Sequence, residues 1–133
     1  MIRIVTESMS DFTQEEAKAA DLIVMPLPIR FGMEEYWDDG VSLTQDDFYA
    51  RLRVAKELPK TSQVPVEHYR KCFNRLLENP EDEVLVITGS SKLSGCYQSA
   101  CIAREACHDP ARVTVLDSLN ATCAEYMLSL IHI

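Results

Sequence analysis

The chain has 133 residues, 47% hydrophobic and 26% charged, which is the composition of one ordinary globular domain and excludes a disordered or collagen-like chain. Thirteen Lys and Arg against 21 Asp and Glu leave a net charge of −8, the wrong sign for binding nucleic acid or docking on anionic lipid. The five cysteines are odd in number with no CxxC pair, the opening MIRIVTES carries no signal peptide, and no run reaches the ~18 apolar residues of a membrane span, so the expectation is a soluble, cytoplasmic protein.

Ile2 to Thr6 is a β-branched run and predicts a first strand. Thr13 and Glu16 have the spacing of a capping box, so a short helix follows to about Ala20. Leu22 to Leu27 reads as a second strand ending in prolines. Pro28 to Trp37 reads as an extended hairpin with Gly32 near its turn, and Asp39-Gly40 as a further turn. Thr44 caps the next helix, with Phe48, Leu52 and Ala55 at i, i+4 and i+7. Lys60 to Val64 is a polar, extended loop, and Pro65 suits a helix start.

Tyr69, Cys72, Phe73, Leu76 and Leu77 then form a full apolar stripe at helical spacing. Glu83 to Thr88 contains the run VLVIT, expected of a strand buried on both faces. A polar loop, Gly89 to Gly95, leads to a helix from about Cys96 to Cys107. Val113 to Leu116 is another strand, with Asp117-Ser118 at its end. No repeat or low-complexity segment interrupts the series. Alternating strands and helices predict an α/β fold, a mostly parallel sheet with flanking helices.

In open α/β sheets ligands bind beyond the carboxyl ends of the strands. Three such ends here carry small hydroxyl residues: Thr6 to Ser10, Ser90 to Gly95, and Asp117-Ser118. The loop Lys60-Thr61-Ser62-Gln63 adds a fourth cluster. Hydroxyls, a glycine and a helix N-terminus suit an anion, because free N–H groups and the helix dipole both favour negative charge. Taken singly, Ser94 is as well explained as a helix cap and Thr61-Ser62 as a plain loop.

IVTES, VMPLPIRFG, TSQ, SSKLSGCYQSA and VTVLDS occur in that order. Together they resemble the DegV family of bacterial fatty-acid-binding proteins, over about residues 2 to 120. The resemblance implies a two-domain α/β protein that holds one long-chain fatty acid in a cleft. Its carboxylate would be bound by hydroxyls that map to Thr61 and Ser94, with Ser62, Ser91 and Gly95 as neighbours. It also implies a partner, a fatty acid kinase that phosphorylates the presented carboxylate, and no cofactor. Glu7, Cys96 and Val64 stand where the family usually has Asp, Thr and Pro. On this reading residues 1–120 are the N-terminal DegV-like domain and residues 121–133 a truncated or foreign tail.

The rival reading is a small α/β enzyme using Ser94 or Ser91 in acyl or phosphoryl transfer, which needs a general base that the sequence does not name. A plain interaction domain is a third. The cysteines do not suggest a metal. Cys96 and Cys101 lie about 140° apart around a helix, and Cys96 and Cys107 about 16 Å apart along it. Cys72 belongs to the apolar stripe. His68 is expected in solvent, and His108 at a helix C-terminus. His132 falls in the tail. Asp38-Asp39 and Asp46-Asp47 are expected in a turn and a helix first turn, and Tyr36 and Trp37 in packing.

Overall fold

The computed structural model describes residues 1–131, so His132 lies outside the described residues. Strands β1 (Ile2–Glu7), β2 (Leu22–Met25), β6 (Glu83–Thr88) and β7 (Val113–Asp117) form one parallel sheet in the order β2-β1-β6-β7. Its central pair sets Val5 beside Val86, and Val86 in turn faces Val115. A parallel sheet needs cover on both faces, and the period of two along β1 supplies it. Val5 points into a core with Tyr69, Phe73, Val84, Val86, Cys96 and Ala100, built by helices α3 (Val66–Leu76) and α4 (Cys96–Glu105). Ile4 points the other way, to Phe12, Ala17, Leu22 and Ile87 under α1 (Gln14–Ala19) and α5 (Cys123–Ile131). Each fully buried aliphatic or aromatic side chain contributes about 1.5–3 kcal/mol.

The local signals worked where the chemistry is local. The Thr13 hydroxyl accepts from the Glu16 N–H while the Glu16 carboxylate accepts from the Thr13 N–H, a complete capping box. In α3 the stripe buries Tyr69, Cys72 and Phe73, and Leu77 just after it.

Three expectations differ. Strand β2 stops at Met25 instead of Leu27, because Pro26 has no N–H and the Leu27 N–H donates to Ser8 Oγ at 3.1 Å. The extended hairpin forms as β3 (Pro28–Phe31) and β4 (Glu34–Trp37), but residues Lys60–Thr61 join it as β5, making a second, antiparallel sheet β4-β3-β5. Helix α2 (Gln45–Val54) buries no residue. Phe48 is half-buried, edge-on to Phe31 at 5.7 Å, and Ala55 leaves the helix in an extended conformation.

The sequence reading ends the domain at residue 120. The chain continues through Leu119 and Thr122, both in the left-handed region (φ 54° and 53°), into α5. There Tyr126 stacks on Phe12 at 4.1 Å, and Glu125 and Ser129 are buried. No described helix is long and apolar enough to cross a membrane.

Candidate functional site

The carboxyl ends of β1, β6 and β7 bring the expected hydroxyl clusters to one edge of the sheet. The loop after β6 is tied down by backbone bonds: Ser90 N–H donates to the Asn120 carbonyl at 2.7 Å, and Ser94 N–H to the Ser90 carbonyl at 3.0 Å. Gly95 is the residue preceding α4. The Ser94 hydroxyl accepts from the Cys96 N–H at 3.3 Å, so it satisfies one free donor of the helix start.

The TSQ segment docks on this helix start. Val64 N–H donates to Cys96 Sγ at 3.4 Å, and the Ser94 hydroxyl donates to the same sulfur at 3.3 Å. A Cβ on Gly95 would meet the Gln63 side-chain amide carbon at 3.0 Å, so a larger residue here requires the Gln63 side chain to shift. Thr61 pairs with Ile29 across β3 and β5, and Ser62 N–H donates to the Pro28 carbonyl at 3.2 Å. Thr61, Ser62 and Ser91 are exposed, while Ser94 and Gly95 are half-buried. The structure therefore brings the TSQ and LSG segments together through Cys96, to which the sequence assigns no part in the site.

Thr61 also lines an open cavity of about 860 Å³ with an apolar wall of Phe12, Val24, Ile29, Leu43 and Phe48. That volume is in the range of small-molecule sites. Ser62, Ser91, Ser94 and Gly95 do not line it. Its other wall is acidic, with Asp11, Asp38 and Asp39. Burial pushes the Asp38 carboxyl up, against a hydrogen bond from Ser8.

Ser91 has a carboxylate neighbour. Its N–H donates to Asp117 Oδ1 at 3.1 Å. Burial raises the Asp117 carboxyl, but hydrogen bonds from Ser91 and the Leu119 N–H outweigh it and hold the group below its usual range.

Behind the hydroxyl loops lies a cluster that sequence reasoning missed. Glu7, at the end of β1, is fully buried. Its Oε2 accepts from the Tyr69 hydroxyl at 2.7 Å and its Oε1 from the Gly89 N–H at 2.8 Å, and the Cys96 thiol donates to the same carboxyl. Burial pushes Glu7 up, and these three donors pull it back. Burial and then the Glu7 charge push the Cys96 thiol up to about 11. Glu125 from α5 is also fully buried and accepts from the Thr6 hydroxyl at 3.0 Å. The one signal for this cluster was an acidic residue at the end of a strand whose preceding residues read as core.

The cysteines are all free, three of them buried. Among the described residues no group of three His, Cys, Asp or Glu could hold a metal ion. His68 is exposed against Trp37, and His108 N–H donates to Asn74 Oδ1 at 2.9 Å. Asp39 closes the turn by accepting from the Val41 and Ser42 N–H groups, and Asp47 accepts from the Thr44 hydroxyl.

In this parallel α/β domain the hydroxyl loops meet at a helix N-terminus beyond the strand ends, where negative charge is favoured. The sequence profile of the DegV family, described as a family of uncharacterised proteins, matches residues 1–130. The chain belongs to the DegV family. A DegV domain-containing protein of Caldanaerobacter subterraneus subsp. tengcongensis is 39% identical over 97% of this chain. A fatty acid-binding protein of Thermotoga maritima is 35% identical over 92% of it. Among solved structures, a fatty-acid-binding DegV family protein from Thermus thermophilus has a TM-score of 0.86 at 32% identity, covering 98% of this chain and 45% of its own. A stearic acid-binding protein from Eubacterium ventriosum has a TM-score of 0.87 at 31% identity, covering 96% and 45%. The chain spans less than half the length of these curated relatives, 45% and 42%.

Proposed function

We propose that this chain is the carboxylate-binding half of a fatty-acid carrier. Thr61 and Ser94 donate hydrogen bonds to the carboxylate, with Ser62, Ser91 and Gly95 around it. The observation that carries this reading is the docking of the TSQ segment on the start of α4 through Cys96. It sets two hydroxyl loops beside a helix N-terminus, where negative charge is favoured. Relatives described as binding fatty acids supply the ligand class. The apolar wall beside Thr61 offers the acyl chain a surface to cover, and each methylene it hides contributes about 0.8 kcal/mol.

Exposure of Thr61 and Ser91 leaves the head group reachable from solvent, as presentation to a partner kinase requires. In this reading the protein is not an enzyme. Among the described residues the Ser94 hydroxyl bonds only to the Cys96 amide and thiol, and the carboxylate beside Ser91 is a weakened base.

Titration of a C16 fatty acid into the purified protein tests the assignment. Ser94→Ala and Thr61→Val should each weaken binding by about 1.5–3 kcal/mol, roughly ten- to 150-fold, the range for hydrogen bonds to a charged group. Unchanged affinity in both variants sinks it.

A further inference from the structure

The least compensated group among the described residues is the carboxyl of Glu125. Its Oε2 is the one buried side-chain polar atom among them with no hydrogen-bond partner. A Cβ on Gly89 would meet Met9 Sδ at 2.6 Å and lie 3.1 Å from both Glu125 Oε2 and Glu7 Oε1, so the two carboxyls face the same spot at the end of β6, beside the Met9 thioether. The groups that act on the two carboxyls come from every element packed around them. They are Tyr69 from α3, Cys96 from α4, Thr6 and the Gly89 N–H at the ends of β1 and β6, and Asp11 after β1. None of these is a cation. Two buried carboxylates with no countercharge do not both ionise, because each charge lacks water and repels the other.

We propose that Glu7 and Glu125 share one proton, held on Glu125 Oε2 and directed at Glu7 Oε1, and that this acid pair fastens α5 to the carboxyl end of the parallel sheet. Helix α5 also packs Tyr126, Leu128 and Leu130 half-buried against the second core, with Tyr126 stacked on Phe12. With the proton in place, Glu125 has a donor aimed at the sheet, its Oε1 keeps the Thr6 hydroxyl, and Glu7 gains a fourth donor. Without it, two negative charges meet in a dry site and α5 is pushed away.

Burial first, and the Glu7 charge second, raise the Glu125 carboxyl from its ordinary 4.5 to about 8. Between those values the folded chain holds a proton that the unfolded chain has released. Stability therefore falls as pH rises across that window and levels off above it.

Urea unfolding of the wild-type protein and Glu125→Gln between about pH 5.5 and 8.5 tests this. The glutamine keeps the shape and donates its N–H toward Glu7 without titrating. The wild-type folding equilibrium constant should fall at least about tenfold across the range, and that of the variant should stay flat. The histidines are common to both proteins, so the difference isolates residue 125. Equal slopes overturn the proposal. Infrared spectra of wild-type protein with carbon-13-labelled glutamate carboxyls decide the matter even if the variant fails to fold. The label separates glutamates from aspartates such as Asp38. A protonated glutamic acid band should be present near pH 6 and gone by about pH 9, beyond the value for Glu125. Its absence at the lower pH overturns the proposal.

Discussion

Two polar clusters stand at the ends of the same parallel strands, one open to solvent and one sealed from it. Around Thr61, Ser91 and Ser94 the hydroxyls are exposed or half-buried, so each can exchange solvent for a ligand oxygen with no desolvation penalty left behind. Glu7, Tyr69, Gly89 and Glu125 are themselves buried, so removing one partner strands another. Cys96 belongs to both: its sulfur accepts from Val64 and Ser94 on the open side, and its thiol faces Glu7 on the sealed side. One sheet edge can thus serve recognition in front and fastening behind, and solvent access decides which role a polar group takes.

The contrast can be broken most forcefully from the sealed side. Phe73 is fully buried, with its ring 5.7 Å from that of Tyr69. Phe73→Ala should cost about 3–5 kcal/mol in chemical denaturation, as large-to-small core changes do. A cost under about 1 kcal/mol would mean that the core beneath the carboxyl pair collapses freely onto the gap.

A subtler change sharpens the comparison. Tyr69→Phe removes the 2.7 Å hydrogen bond to Glu7 and leaves a buried carboxyl oxygen short of a donor. Stability should drop by about 1–3 kcal/mol. Fatty-acid affinity should stay within about 0.5 kcal/mol of wild type, because the open hydroxyls are untouched. An affinity loss as large as that expected for Ser94→Ala would erase the division between the clusters.

The smallest expected effect is none at all. Incubation with a fluorophosphonate should leave Ser94 unmodified by intact mass, since no base activates its hydroxyl. A stoichiometric adduct on Ser94 would turn the open cluster from a binding site into a nucleophile site.

How much of this was legible in the sequence follows the range of the forces involved. The Thr13–Glu16 capping box spans four residues, the α3 stripe nine, and VLVIT is its own signal, so each could be read from its neighbours. The TSQ and SSKLSG segments were legible as motifs, and their meeting was implied by resemblance. The joint at Cys96 was not, because it depends on a backbone N–H 32 positions away. The carboxyl pair was further out of reach. Glu7 meets Gly89 across 82 positions, and Glu125 meets Thr6 across 119. A glutamate in an amphipathic segment reads as a solvated face until the strand that buries it is known. The same limit applies to α2, where the spacing of Phe48 and Leu52 gives the helix but not its burial: both lie half-buried.

The two left-handed residues ahead of α5 have a mechanical meaning. Leu119 and Thr122 carry side chains that resist positive φ, Thr122 the more so because its Cβ is branched. They stay there because the Leu119 N–H donates to Asp117 Oδ1 at 3.0 Å and the Thr122 N–H to the Met9 carbonyl at 2.9 Å. Backbone held this way costs on the order of 1–2 kcal/mol per residue, which is returned if the turn relaxes. Helix α5 is therefore mounted on a cocked spring: the turn that delivers its glutamate to the sheet holds backbone that would relax if the helix let go.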